Sequence, residues 1–287
     1  MQVAKVAEIH RYPVKSMLGE RLRSVAVAED GLRGDRSWAA RDEGRDAIEG
    51  GRKHPALLGC AARFIEPVAD GLPIPVPEIE LPDGTRLRAD DPEVARRLSK
   101  LTGQPLSLWG RRPADDVAHY RRGAPDKSDI VLELHDIFAR LPDEPLPDLG
   151  KLPPAIMTAS TLPGTYFDCF PLFLLTNTSL ASLARAQPSS RFDVRRFRPN
   201  LLLESADGQG FPENGWVGRR IRVGEAEFAV ETECPRCVMT THAFADLPKD
   251  PKIMRTLVKE NGGNVGVYAA VTRPGVVREG DAVELLD

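Results

Sequence analysis

The chain has few cysteines, no long apolar run and little net charge, and each of these shortages excludes a class of protein. Its 287 residues include four cysteines, which are too few for a disulfide scaffold in a chain of this length. No segment approaches the roughly 20 continuous apolar residues of a membrane-spanning helix, and the first residues, MQVAK, do not begin a signal-peptide core. The formal net charge of −3 gives no overall argument for binding nucleic acid. We therefore expect a cytoplasmic protein without a membrane or nucleic-acid partner.

Nucleotide-binding motifs and internal repeats are missing as well. The sequence contains neither a GxGxxG pattern nor a P-loop. What is present is a globular composition, 41% hydrophobic and 28% charged, in a chain long enough for one large domain or two modest ones.

Short strands dominate the predicted secondary structure. Helices are predicted only after Asp91, over 180–186 and over 251–261. A hairpin is predicted over 80–87, with Asp83-Gly84 supplying the positive φ angles of a type I′ turn. This balance favours an α+β, β-rich protein built on a β-barrel core. Alternating or short apolar runs predict the remaining strands at 3–10, 22–28, 36–41, 170–175, 200–204, 216–223, 227–231, 265–271 and 282–286.

Residues 113–165 form a proline-rich, acidic connection with no regular pattern. A connection of this length is normally functional or flexible. His119, His135 and Asp136 lie in it, and we expect them to be exposed, because no metal-ligand spacing repeats.

Cys234 and Cys237 are the one pair of cysteines that lie close in sequence, with Arg236 between them. A structural zinc site needs four ligands, and Cys60 and Cys169 are isolated. A thioredoxin-like redox pair should open a helix, whereas 238–241 is predicted to continue the strand. Two buried structural cysteines and a single metal-binding thiolate remain open on spacing alone.

Basic residues stand at three predicted strand ends. Lys15 and Ser16 follow the first strand, Arg36 begins the third, and Arg198 precedes the strand at 200–204. Because strand ends form the mouth of a barrel, these side chains are candidates for ligand binding. The alternatives are a solvated Lys15, an Arg36 that pairs locally with Asp35, and an Arg198 that only borders a sheet.

Five short motifs follow one another along the chain: YPVKS at 12–16, DRSW at 35–38, FRPN at 197–200, CPRCVMTT at 234–241 and GDAV at 280–283. Together, and in this order, they resemble the motifs of the MOSC-domain family, and the resemblance spans nearly the whole chain. The chain is similar to the subgroup of amidoxime-reducing components and the bacterial reductases of N-hydroxylated bases. The resemblance implies a MOSC β-barrel over 166–287, the irregular connection over 113–165, and an N-terminal MOSC-associated β region over 1–112.

The resemblance also implies a molybdenum cofactor, a pterin dithiolene that carries a phosphate. The position matching the family's catalytic metal ligand is Cys237, and Cys234 is then expected to be structural. Pro235 departs from the small polar residue common in the family, and Met17 departs from a small residue. Family labels can mention pyridoxal phosphate, but no lysine here has a Schiff-base context. The positions matching cofactor contacts are Lys15, Ser16, Arg36, Asp168, Cys169, Arg198, Pro235, Arg236 and Tyr268.

The implied activity is reduction of small N-hydroxylated compounds such as hydroxylamines, amidoximes and N-hydroxylated bases. The chain lacks a cysteine cluster for an iron–sulfur centre, so electrons are expected from a separate reductase, ferredoxin or cytochrome. One alternative is a carrier of molybdenum cofactor or sulfur without reductase turnover. Another is a non-enzymatic β-barrel binder with structural cysteines.

Overall fold

The computed structural model describes residues 1–206 and 208–286, and their secondary structure is mostly strand. The helices are α1 (Pro92–Thr102), α2 (Val117–Tyr120), α3 (Ile130–Ile137), α4 (Asn177–Ala186), α5 (Val194–Phe197) and α6 (Lys252–Asn261). Short 3₁₀ helices lie at Pro55–Gly59, Leu149–Lys151, Pro154–Met157, Pro212–Trp216 and Val238–Thr241. The strands are β1 (Gln2–Arg11), β2 (Glu20–Leu22), β3 (Ser24–Ala28), β4 (Gly31–Leu32), β5 (Trp38–Asp42), β6 (Ala47–Ile48), β7 (Ala61–Arg63), β8 (Glu78–Glu80), β9 (Arg86–Arg88), β10 (Leu106–Gly110), β11 (Leu172–Thr176), β12 (Leu201–Ser205), β13 (Arg220–Val223), β14 (Ala226–Pro235), β15 (Asn264–Arg273), β16 (Gly275–Arg278) and β17 (Ala282–Leu285).

A closed barrel of seven strands forms the centre of the described fold. Its order is β12-β11-β15-β14-β13-β17-β1, and pairing of β1 with β12 closes the ring, while β2 extends from β1. An odd number of strands cannot alternate in direction all the way round, and the β11–β12 pair is parallel. The predicted β-rich α+β class with a barrel core is confirmed.

Apolar side chains that alternate along the strands fill the interior of the barrel. On β1, Val6 and Ile9 are buried and pack in a cluster with Leu203, Phe228 and Val267. Three further sheets of three strands each, in the orders β10-β5-β6, β16-β3-β4 and β7-β8-β9, lie beside the barrel. A second core cluster joins α1 to β5 and β10 through Leu98, Ala40 and Leu106.

The first strand belongs to the barrel, although it is far in sequence from its partners. Ile9 pairs with Leu201, and Lys5 pairs with Ala282. The division into 1–112, 113–165 and 166–287 stays a proposal, and β1 is the element that joins the first part to the last.

The connection at 113–165 contains regular structure that its sequence did not predict. It carries α2, α3 and two of the 3₁₀ turns. Asp129 caps α3, because its carboxylate accepts the N–H groups of Val131 at 2.8 Å and Leu132 at 3.3 Å. The expected exposure of His119 is wrong: its ring is buried, with Nε2 at 2.8 Å from the Tyr166 hydroxyl.

Two local predictions were also wrong. Residues 238–241 form a 3₁₀ turn and do not continue β14. The 80–87 hairpin forms, but only Gly84 has a positive φ, of 81°, so its turn is not type I′. Among the helices described over 1–206 and 208–286, none combines the length and apolarity needed to cross a bilayer.

Candidate functional site

A cavity of about 470 Å³ lies where barrel strand ends meet the 113–165 segment. Every residue matched to the cofactor site in the sequence lines it. The structure therefore brings together positions that are more than 200 residues apart in the chain. The ten residues are Lys15, Ser16, Arg36, Asp168, Cys169, Arg198, Pro235, Arg236, Cys237 and Tyr268.

The two cysteines of the 234–237 motif occupy different environments. Cys234 is 0% exposed and packs with Phe173 and Leu175 outside the barrel. Burial raises the pKa of its thiol. Cys237 is half-buried, follows the end of β14 and lines the cavity. Only the second thiol is therefore placed to meet a ligand.

A buried arginine fixes the segment that follows Cys237. The guanidinium of Arg196 is 1% exposed and donates to the carbonyls of Thr240 at 3.1 Å, His242 at 2.9 Å and Pro248 at 2.6 Å. These bonds hold the 3₁₀ turn against α5. No sequence signal separates Arg196 from its neighbour Arg195, which pairs with Asp193 at 2.7 Å.

Tyr12 organises two cations from distant parts of the chain. The guanidinium carbons of Arg36 and Arg198 lie 4.7 Å and 4.3 Å from the centre of its ring. Its hydroxyl donates to the carbonyl of Pro199 at 3.1 Å. Burial raises the pKa of Tyr12 to about 12, so its ring is neutral at physiological pH. Tyr12 belongs to the YPVKS motif, but the sequence alone assigned it no role.

Arg36 does pair with Asp35, as the simpler alternative predicts, and it still faces the cavity. The Asp35 carboxylate is buried and also accepts the N–H of Tyr12 at 2.7 Å and the side-chain amide of Asn200 at 2.9 Å. The Asn200 oxygen in turn accepts the N–H of Phe173 at 3.1 Å. This network joins the N-terminal part of the chain to β11 and β12.

Arg198 and Arg236 are buried cations without an acidic partner within 4 Å in the described part of the chain. Arg198 donates to the Met17 carbonyl at 2.5 Å. Burial and the charge of Arg36 lower the pKa of Arg198 to about 10. A buried cation in this position favours an anionic ligand, because burying an unpaired charge is costly.

Arg236 shares this lack of a counter-ion. It donates to the Cys234 sulfur and to the Phe197 carbonyl, each at 2.7 Å, and lies 4.5 Å from the centre of the Phe173 ring. Its Nε atom is buried and has no hydrogen-bond partner among the described residues. Both arginines line the cavity that holds Cys237.

Lys15 and Asp168 form an ion pair in the cavity wall. Lys15 is buried and also donates to the Tyr166 carbonyl at 3.2 Å, so it is not a solvated lysine. Enclosure by the protein raises the pKa of Asp168, but Lys15, Arg36 and Arg198 together hold it at about 2. Burial and the neighbouring Asp168 charge raise the pKa of the Cys169 thiol, which keeps it protonated.

Backbone strain is concentrated at this site. Ser16, Arg36 and Arg198 have positive φ angles of 67°, 45° and 63°, and they are three of the six described non-glycine residues in that region. Such conformations persist where surrounding structure imposes them, and they cluster at ligand sites. The backbone of Gly50 approaches Ser16 closely, since a Cβ there would meet the Ser16 hydroxyl in its present rotamer.

The charge of the cavity wall favours an anionic ligand. Eight cationic side chains and three carboxylates line it, an excess of five positive charges. Several of these cations were not predicted, because the loop at 45–53 and Arg122 carry no motif. Among the described residues, no group of three or more His, Cys, Asp or Glu could hold a metal unaided.

Two family models match this chain. The MOSC N-terminal beta barrel domain matches residues 3–121, and the MOSC domain matches residues 161–284. The chain is similar to mitochondrial amidoxime reducing component 2 of Bos taurus, with 26% identity over 249 residues that cover 84% of this chain and 67% of that protein. The corresponding protein of Rattus norvegicus is 26% identical over 304 residues, which cover 98% of this chain and 83% of that protein.

Two further matches are weaker, one because it covers a small part of the chain and the other because its structural agreement is low. A molybdenum cofactor sulfurase of Anopheles gambiae is 32% identical over 94 residues, which cover 32% of this chain and 12% of that protein. A crystal structure of the YUAD protein from Bacillus subtilis aligns with a TM-score of 0.43 and 13% identity, covering 99% of this chain and 95% of that one.

Proposed function

Because the chain belongs to the MOSC-domain family, we propose that its cavity binds a molybdenum cofactor and that the protein reduces N-hydroxylated compounds. The observation that carries this proposal is the pair of buried arginines, Arg198 and Arg236, which lack counter-ions among the described residues in a cavity that also holds the half-buried thiol of Cys237. Relatives named amidoxime reducing component support an oxidoreductase of this kind.

The residues present suit such a group. A thiolate at Cys237 is a soft ligand, compatible with a metal that already has sulfur ligands from a pterin dithiolene. The positive charges of Arg198 and Arg236 would balance the negative charge of the phosphate, and their N–H groups would bind the polar pterin edge. Lys15, Ser16, Arg36, Asp168, Cys169, Pro235 and Tyr268 would complete the contacts. When bound, the cofactor supplies the two-electron chemistry.

The proposed reaction breaks the N–O bond of the substrate. Two electrons and two protons enter, the nitrogen keeps a new hydrogen, and the oxygen leaves as water. The electrons would come from a separate reductase, ferredoxin or cytochrome, because Cys60 and Cys234 are buried in different core clusters and cannot join one iron–sulfur site. Asp168 is not the proton source at neutral pH, since a pKa of about 2 leaves it ionised. It keeps the Lys15 ammonium in the cavity wall.

The test is replacement of the proposed metal ligand in protein made by a host that synthesises the cofactor. We expect Cys237→Ser to lose more than about nine-tenths of its bound molybdenum and its reduction of benzamidoxime with a chemical electron donor. Cys60→Ala is the matched control, because Cys60 lies in a core cluster away from the cavity. It should keep the same metal content per folded molecule. If the Cys237→Ser variant kept its full metal content and activity, that result would contradict the proposal.

The match to a molybdenum cofactor sulfurase supports one alternative, a carrier that binds cofactor or sulfur without turnover. Metal-loaded protein that reduces no N-hydroxylated compound, but activates an apo-enzyme on mixing, would favour it. Protein that binds no molybdenum, and is indifferent to Arg36 or Arg198 substitution, would favour a non-enzymatic binder.

A further inference from the structure

The 113–165 segment contributes an apolar part of the cavity wall that the cofactor assignment leaves unused. Eight large apolar side chains from this segment line the cavity, drawn from α3, from the two 3₁₀ turns and from residues that directly follow them. We call them the apolar wall: Ile130, Leu134, Ile137, Phe138, Leu149, Leu152, Ile156 and Met157.

Most of the apolar wall lies outside the cores that stabilise the fold, while Phe138 and Leu152 are buried. None of its members belongs to any of the five hydrophobic clusters formed by the described residues. Leu134, Ile137, Leu149 and Ile156 are only half-buried, and Met157 is 60% exposed. Apolar surface that packs into no core and borders a cavity is available to a ligand.

Such a surface is a poor match for the polar parts of the cofactor. A phosphate or a pterin edge placed against it would lose its hydrogen bonds to water without replacement, at a substantial cost. The one carboxylate that α3 turns to the cavity, Glu133, is buried and lies 3.7 Å from the ammonium of Lys53. The negative charge of Glu133 is balanced by the positive charge of Lys53. The apolar wall therefore offers a ligand no net charge, and we expect the group that contacts it to be apolar.

We infer that the apolar wall binds the hydrophobic substituent of the substrate, so that the protein selects N-hydroxylated compounds carrying an alkyl or aryl group. This inference rests on the proposed function, because the wall borders the same cavity as Cys237. It adds a preference within the substrate class and names the residues that set it, chiefly Leu134 and Ile137 of α3.

A homologous series of substrates tests the preference. Straight-chain amidoximes from acetamidoxime to octanamidoxime differ only in the length of the alkyl group. We expect kcat/KM to rise about fourfold for each added methylene until the wall is filled, which corresponds to about 0.8 kcal/mol per buried CH₂. Binding of the same series, followed by isothermal titration calorimetry without an electron donor, should show the same trend in Kd.

Two leucines of α3 provide a matched pair of variants. Leu134 lines the cavity, whereas Leu132 does not and is 53% exposed. We expect Leu134→Asn to flatten the dependence on alkyl length, with the loss for octanamidoxime at least tenfold greater than for acetamidoxime. Leu132→Asn makes the same chemical change two residues away and should keep the wild-type slope. A thermal melt confirms that both variants are folded.

The outcomes separate this inference from the proposed function. Turnover of every amidoxime at rates independent of alkyl length would overturn the inference and leave the reductase standing. Absence of turnover, together with calorimetric binding that still strengthens with alkyl length and weakens in Leu134→Asn, would overturn the reductase and leave the apolar site. Equal behaviour of Leu134→Asn and Leu132→Asn would also overturn the inference.

Discussion

At the scale of single residues, the site depends on a few side chains that hold others in place. The ring of Tyr12 contacts two guanidinium groups, and the Arg196 side chain holds the turn after Cys237. Neither Tyr12 nor Arg196 needs to contact a ligand directly. Both position other residues of the cavity: Tyr12 positions the two arginines, and Arg196 positions the turn that follows Cys237.

Asp168 gives a prediction about pH. Its pKa is about 2 in the folded protein and 3.8 ordinarily, so its pairing with Lys15 stabilises the fold above pH 3.8 and is lost as the pH falls toward 2. The side chain is 71% exposed, so solvent screening limits this contribution to about 1 kcal/mol or less. Asp168→Asn should therefore lower the free energy of urea unfolding by that amount at pH 6, and by progressively less from pH 4 to pH 3. A difference between the two proteins that grew in acid would contradict the assignment.

Much of this site could be predicted from local sequence, because many of its cavity-lining residues lie in short motifs at strand ends. The role of Lys15, Arg36 and Arg198 could be suspected from those positions alone. Arg122 could not, since its place in the cavity depends on how the 113–165 segment folds back. The role of Tyr12 was equally hidden, because cation–π contacts join residues that are 24 and 186 positions away from it.

At the scale of elements, arginines from both sides attach the 113–165 segment to α6. Arg255 of α6 pairs with Glu144, and the buried Arg140 of the segment contacts the same helix. Arg140 follows α3, donates to the Met254 sulfur at 2.8 Å and reaches the Gly262 carbonyl at 3.4 Å, at the end of α6. Its guanidinium occupies the space where a side chain on Gly263 would lie. Together with the Arg255 pair, this contact holds α3, and with it the α3 part of the apolar wall, relative to the cavity.

Gly263→Ala should displace Arg140 and loosen α3. We expect the amide hydrogens of α3 to exchange at least about tenfold faster, measured by hydrogen–deuterium exchange with mass spectrometry. Gly218→Ala is the control: Gly218 has φ +80° against +84° for Gly263, so the backbone strain is similar, but no described atom lies within 4 Å of the point that its new methyl group would occupy. Equal exchange of α3 in the two variants would show that backbone strain, and not the contact with Arg140, is responsible.

Elements with strong local signals were predictable, and those set by tertiary contacts were not. Helix α1 begins at the N-cap Asp91 and ends at Gly103, which has φ +71°, as the sequence indicates. The turn at 238–241 has β-branched residues typical of a strand, yet Arg196 donates to its Thr240 carbonyl and stabilises a 3₁₀ turn. Helix α3 was missed although Ile130, Leu134 and Ile137 follow helical spacing. The exposed apolar residues Val131 and Leu132 between them obscure that pattern.

At the scale of the whole molecule, Asn200 links the two ends of the chain through buried polar groups. Asn200→Ala would remove a donor from the buried Asp35 carboxylate and an acceptor from the Phe173 N–H. We expect this change to lower the free energy of unfolding by about 2–4 kcal/mol. Asn214→Ala is the control, because its amide donates to Asn261 within the MOSC match alone, and about 1 kcal/mol or less is expected.

Unfolding should remain a single transition in the Asn200 variant. Circular dichroism and tryptophan fluorescence should give one common midpoint. The fluorescence reports on both parts of the chain, because Trp38 and Trp109 lie in the sheet of β5 and β10, whereas Trp216 packs in the barrel cluster. An unchanged midpoint would show that the Asn200 network does not join the two parts. An N-terminal part that melted separately would contradict the expected single transition and show that other contacts between the parts are weak.

Strand partners were the part of the architecture that the sequence could not specify. Its alternating runs predicted where strands lie and that they form a barrel. They contained nothing about the parallel pairing of Leu174 with Leu201 or the closing pairing of Ile9 with Leu201. Pairing is decided by which apolar faces fit together once all strands exist, and that information is spread over the chain.

The closing position of β1 has a consequence for synthesis of the protein in the cell. Its partner residues at 201–205 and 282–284 are translated long after residues 2–11 have left the ribosome. At typical translation speeds that wait is roughly 15 to 60 s for a chain of this length. Through that interval β1 presents unpaired backbone groups and the apolar residues Val6 and Ile9 to the surroundings. Newly made chains should therefore depend on chaperones that shield an N-terminal strand, and slower translation should lengthen the period of greatest aggregation risk.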